Sequence, residues 1–160
     1  MSNLWNSTKW KTKYKDAKHK RGIKIDYEKD THPEVKRACR EYIAWIRVQF
    51  FFPKRVRIYV KNANRVKSTD GDRVCGYFFR PYDQNDEPYI VLATGDYPEM
   101  LKKHGKDNAL ATILWSLTHE LTHYFQWIND VELTLKGMER QASNHANKLL
   151  SCYANTRDHP

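Results

Sequence analysis

The stretch LATILWSLTHELTHYFQWI, residues 110–128, decides how the rest of the chain is read. Leu114, Leu117, Leu121, Phe125 and Ile128 recur at the intervals of three and four that line one face of an α-helix. His119 and His123 fall on the opposite side. Side chains four apart on a helix project together, with Cβ atoms about 5–6 Å apart, so two imidazoles at this spacing can reach a single ion. Asp107 is the expected cap, and the helix is expected to run to about Ile128.

Two helical histidines suit zinc, whose bonds to imidazole nitrogen are about 2.0–2.1 Å long. Glu120, next to the first of them, can take a proton from a metal-bound water without occupying a coordination position, which makes it the expected general base. Two His and one carboxylate leave a fourth position for that water, whose pKa falls toward about 7. The third ligand has to come from further along the chain, where Asp130, Glu132, Glu139 and His145 are available. A last helix is expected from about Lys136 to Tyr153, with Ala142, Ala146, Leu149 and Tyr153 on its inner stripe. Glu139 lies three residues before Ala142 and shares that stripe, whereas His145 points about 100° or more away. Glu139 is therefore the expected ligand. Gln126 and Asn129 stand where the long extended zinc motif needs Gly and His, which excludes that subclass. Tyr153 and His145 are candidate donors to a developing oxyanion.

Upstream, Thr31 offers a capping hydroxyl, Pro33 suits a first turn and Glu34 complements the helix dipole. Val35, Ala38, Cys39, Tyr42 and Ile46 then form one apolar stripe, and the helix should stop before Pro53. Residues 55–61 alternate strictly and read as a strand with one buried face. Arg73 to Tyr82 reads as a second strand, Tyr89 to Ala93 as a third buried on both faces, and Pro98 to His104 as a short helix. The expected fold is α+β: an N-terminal helix, a small three-stranded twisted sheet, the HExxH helix and a C-terminal glutamate-bearing helix. A domain over 31–153 is expected, with a frayed tail over 154–160.

A chain of 160 residues suffices for one cored domain. Its 40% hydrophobic content and five Trp exclude wholesale disorder. Cys39, Cys75 and Cys152 are odd in number and widely spaced, which argues against a disulfide framework or a thiolate zinc site. No apolar run approaches the roughly 18–20 residues that span a bilayer, and no signal peptide is evident, so a cytoplasmic protein without a membrane partner is expected. The net charge of +9 is uneven: residues 1–24 hold eight Lys or Arg against Asp16 alone, a net +7. Residues 1–30 therefore read as a basic, flexible arm. Lys9, Lys11, Lys13, Lys15, Lys18, Lys20 and Arg21, with Trp5, Trp10 and Tyr14 among them, support an alternative function. That alternative is a nucleic-acid-binding or regulatory module on an inactive zincin-like scaffold, its arm tracking phosphates and stacking bases.

His119-Glu120-Leu121-Thr122-His123, followed sixteen residues later by Glu139-Arg140-Gln141-Ala142, resembles the gluzincin metallopeptidases, and within them the ImmA/IrrE family and the minigluzincins. The likeness covers roughly residues 31–153 and includes a Gly-aromatic strand like Gly76-Tyr77-Phe78 and an apolar strand like Ile90-Val91-Leu92. It implies a zinc endopeptidase with one Zn(2+) per chain, bound by His119, His123 and Glu139, with Glu120 activating the water. It also implies a protein or peptide substrate, a DNA-bound regulator among the candidates, held as an extended strand along the sheet edge. Residues 73–82 are expected to supply that edge. Thr122 departs from many relatives, which carry Gly there. SprT-like proteases are less similar, because their third ligand is a His shortly after the motif and residues 124–144 contain none.

Overall fold

The structure, a computed structural model, describes residues 4–14 and 20–160. Two short 3-10 turns, Leu4–Asn6 and Lys9–Thr12, lead into strand β1 (Ile23–Tyr27) and helix α1 (Pro33–Gln49). Then come β2 (Val56–Lys61), β3 (Val66–Lys67), β4 (Arg73–Val74), β5 (Gly76–Phe79) and β6 (Tyr89–Ala93). Helices α2 (Tyr97–His104), α3 (Lys106–Ile128) and α4 (Leu135–Ala154) complete the chain. The class is mixed α+β, as expected. No helix among the described residues is long and apolar enough to cross a membrane.

The main sheet has four strands in the order β1-β2-β6-β5, where three strands were expected. The additional strand comes from the segment read as an arm. Ile23, Ile25 and Tyr27 alternate with Lys24 and Asp26, and β1 pairs in parallel with β2, Ile23 opposite Val56 and Ile25 opposite Ile58. Parallel neighbours need a crossover, and α1 provides it. β6 lies parallel to β2, and β5 runs antiparallel to β6 at the far edge. Residues 73–82, expected as one strand, divide at Cys75: β4 pairs with β3 in a separate ribbon, and β5 joins the main sheet.

Val56, Ile58 and Val60 of β2 and Ile90 and Leu92 of β6 point into one core with the apolar stripes of α1 and α3. Leu114, Leu117, Leu121, Phe125 and Ile128 are each at most 1% exposed. Burial of this kind contributes about 1.5–3 kcal/mol per large aliphatic side chain, and it fixes the rotation of α3 so that His119 and His123 face away from the core.

The described part of the basic arm is packed, which corrects the expectation of a flexible segment. Trp5 is 2% exposed and lies against Phe50, Phe52 and Phe125, with ring centroids 4.8, 6.3 and 4.5 Å away. Leu4 and Tyr14 are buried as well. Aromatic area outweighs the neighbouring lysines, which keep their charges at the surface.

The tail is also held rather than frayed. Arg37 Nη2 donates to Pro160 O at 3.0 Å, and the Arg157 guanidinium sits 3.9 Å from the Tyr153 ring centroid. Two caps differ from expectation. His32 caps α1, its Nδ1 accepting from Glu34 N at 3.1 Å, while Thr31 donates to Glu28 O instead. Gly105, at φ +82°, precedes α3 and leaves Asp107 inside its first turn.

Candidate metal centre

α3 presents His119 and His123 one turn apart, with ring centroids 4.9 Å apart and planes nearly perpendicular. α4 begins at a Thr134 cap, whose hydroxyl accepts from Gly137 N at 3.0 Å, and this phases Glu139 toward the two rings. Its Oε2 is 2.9 Å from His119 Nε2, and its Oε1 is 3.1 Å from His123 Nε2. The three ligand atoms lie within 4.8 Å of one another. Tetrahedral zinc with bonds near 2.05 Å needs ligand atoms about 3.3 Å apart, and the two Glu139–imidazole separations of 2.9 and 3.1 Å lie close to that spacing. Both imidazole side chains are mostly buried, whereas the Glu139 side chain is 63% exposed, so the centre opens to solvent on the α4 side.

Burial, then the neighbouring His123, lowers the pKa of His119 against the opposing pull of Glu139. That favours the neutral ring a metal requires. Glu120 is 9% exposed. Burial first, and the Glu139 charge second, push its pKa up to about 8, while the backbone N–H of Phe78 on β5 opposes the rise. The carboxyl lies next to both imidazoles and faces the β5 edge.

The edge itself is oriented toward the centre. Cys75 O accepts from Ala93 N at 2.7 Å, so Cys75, Tyr77 and Phe79 face β6. By antiparallel alternation Gly76 and Phe78 turn their main-chain groups outward, to the side where Glu120 meets the Phe78 N–H. A Cβ at Gly76 would approach Val91 O at 3.2 Å and the Glu120 Cγ at 3.6 Å, so the strand passes close over the carboxylate.

The structure thus brings together His119, Glu120, His123 and Glu139. It does not bring Tyr153 to them, correcting its candidacy as oxyanion donor. Tyr153 lies fourteen residues beyond Glu139, about 21 Å along the helix. Its ring packs on Tyr42 and Trp45, and its buried hydroxyl has no hydrogen-bond partner among the described residues. His145 is likewise outside the cluster, with its Nδ1 2.9 Å from Gln141 O. Asp130 is ion-paired with Lys13, and neither it nor Glu132 joins the metal group.

Of the basic candidates, Lys9, Lys11, Lys20 and Arg21 are exposed. Lys11 lies 6.0 Å from the Trp10 ring centroid and Arg21 5.5 Å from that of Phe51. Lys15 and Lys18 lie outside the described residues.

Several neighbours of the centre were not singled out by sequence reasoning. Gln126 meets His123 Nδ1 at 2.7 Å, and Ser143 Oγ is 3.4 Å from His119 Nδ1. Trp115 stacks on His119 with centroids 5.1 Å apart and donates through Nε1 to Asn147 Oδ1 at 2.8 Å. Their spacing of three or four residues from a ligand was the available signal.

No known protein family, curated protein or solved structure matches the chain.

Proposed function

We propose that this protein is a zinc-dependent endopeptidase of the gluzincin type, with a zincin-like fold that hydrolyses peptide bonds of a protein substrate inside the cell. The observation that carries this reading is the Glu139 carboxylate, reaching from α4 to Nε2 of both His119 and His123. The opening of the centre on that side and the position of β5 as an edge strand beside it support a substrate that arrives as an extended chain.

His119, His123 and Glu139 would hold the ion. Zinc, when bound, supplies a Lewis acid and lowers the pKa of water toward about 7. The substrate backbone pairs with the outward main-chain groups of Gly76 and the Phe78 carbonyl on β5, which would set a scissile carbonyl over α3. Glu120 accepts a proton from the attacking water at its carboxylate and delivers it to the departing amine nitrogen. Its burial keeps bulk water from competing for that proton.

Metal analysis and peptide hydrolysis on three proteins test the proposal. Wild type is expected to take up one zinc per chain and to cleave an unstructured protein substrate. Glu120→Gln should keep the zinc and lose activity by a factor of about 10²–10⁴, the usual contribution of a general base. Glu139→Ala should bind zinc more weakly and be inactive. A wild type that takes up no zinc would overturn the reading.

A further inference from the structure

We propose that Gln126 is a positioning residue that sets the tautomer of His123 and, with the same amide, fixes the helix turn carrying Glu139. The inference rests on the metal-centre reading above. Gln126 is 0% exposed, which is unusual for an amide side chain, and every polar atom of its head group is engaged. Its Nε2 donates to Met138 O at 2.9 Å and to Gln141 Oε1 at 2.9 Å. Its Oε1 lies 2.7 Å from His123 Nδ1.

The orientation of this amide follows from chemistry. A backbone carbonyl can only accept, so the atom facing Met138 O has to be the NH₂ group. The oxygen is then left facing His123, and an amide oxygen can only accept. His123 must therefore carry a proton on Nδ1, so Nε2, the atom 3.1 Å from Glu139 Oε1, is the nitrogen left to face a metal. A buried acceptor of this kind on the distal ring nitrogen holds a metal-binding imidazole in its ligating tautomer and raises its basicity.

The second half of the bridge bears on the other helix. Met138 immediately precedes Glu139, so the Nε2 bond to Met138 O pins the turn from which the third ligand projects. One side chain on α3 thereby couples a ligand on its own helix to the ligand on α4. His119 has no equivalent: its Nδ1 meets only a hydroxyl, 3.4 Å away, which can rotate to donate or accept. The centre has one imidazole oriented by an amide and one held by stacking on Trp115 beside a hydroxyl.

The test combines a measurement on the metal-free wild type with two variants. At pH 8 and without zinc, the ¹⁵N shift of His123 Nδ1 is expected to report a proton on that nitrogen. A His123 Nδ1 without a proton in wild type would overturn the proposal with no variant needed. Gln126→Met, close in shape but unable to accept or donate, should show mixed His123 tautomers and bind zinc about 10–100-fold more weakly in chelator competition. Gln126→Glu restores the acceptor without the donor, so it should recover the tautomer and only part of the zinc affinity. A folded Gln126→Met that matches wild type in both tautomer and affinity would overturn the inference. Should wild type take up no zinc while its tautomer is as expected, the metal reading fails and the orienting role of Gln126 on His123 stands.

Discussion

Thr122, like Leu121, is buried, and its hydroxyl is committed twice. It donates to Thr118 O at 2.9 Å and accepts from Trp5 Nε1 at 3.1 Å. This gives a physical reason for the hydroxyl: the N-terminal Trp packs behind the helix and its indole N–H finds an acceptor there. Thr122→Val keeps the volume but removes that acceptor in a site where Thr122 is 0% exposed. A buried unsatisfied donor costs about 1–3 kcal/mol. The expected outcome is a loss of stability in that range by urea denaturation with zinc stoichiometry unchanged, since the hydroxyl points away from the ligands.

At the scale of elements, the approach of α3 to the sheet depends on two junctions. Gly95 follows β6 where the chain turns under the 62–64 loop, and a Cβ there would meet Ala63 C at 2.6 Å and Asn64 N at 2.9 Å. Both are backbone atoms and cannot rotate away. Gly95→Ala is expected to destabilise the fold by about 1–3 kcal/mol, the usual cost of overpacking, as measured by thermal melting. The second junction joins the starts of α1 and α3 through Glu34, which pairs with Arg37 and with Lys106. The Arg37 hydrogen bond first, and Lys106 second, hold its pKa at about 2 against an ordinary 4.5. Because the folded value is the lower one, the pairing contributes stability above about pH 4.5 and loses it as pH falls through about 2. Glu34→Gln should flatten the acid side of the stability profile between these values. The pair is at the surface, so added salt should shrink the difference. Equal acid profiles for the two proteins at low salt would refute the assignment.

At the scale of the molecule, the described residues of the N-terminal segment pack onto the rest of the fold. Trp5 fills the space between Phe50, Phe52 and Phe125, Trp10 N donates to Asn129 Oδ1 at 3.2 Å, and Lys13 pairs with Asp130. The last two contacts close over the C-terminal end of α3, so the basic segment braces the helix that carries the centre. Trp5→Ala is expected to cost about 3–5 kcal/mol, as for other large buried aromatics. Deleting residues 1–12 should cost at least as much. A truncated protein with the wild-type urea midpoint would restore the reading of a flexible arm.

The local signals legible in the sequence were those with a strict period or a fixed chemical spacing. The α3 stripe, the α1 stripe, the alternation of β2 and the four-residue interval between His119 and His123 all depend on backbone geometry, which adjacent residues set among themselves. The phase argument for Glu139 belongs with them, because Ala142 and Ala146 mark the inner face of α4 and both are 0% exposed. Other features were decided by partners distant in the chain. Ile23-Lys24-Ile25-Asp26-Tyr27 carried an alternation short enough to be lost among lysines until β2 lay beside it. Trp5 reads as an exposed aromatic until the gap between Phe50, Phe52 and Phe125 is seen. Tyr153 shares the inner stripe of α4 with the residues near Glu139, and only the length of the helix and its packing on α1 remove it from the centre. Gln126 reads as an ordinary polar residue; its role is visible only when Met138, Gln141 and His123 converge on one amide. Periodicity and ligand spacing are properties of one segment and can be read from it, whereas burial and hydrogen-bond satisfaction belong to pairs of segments and exist only once the chain has folded.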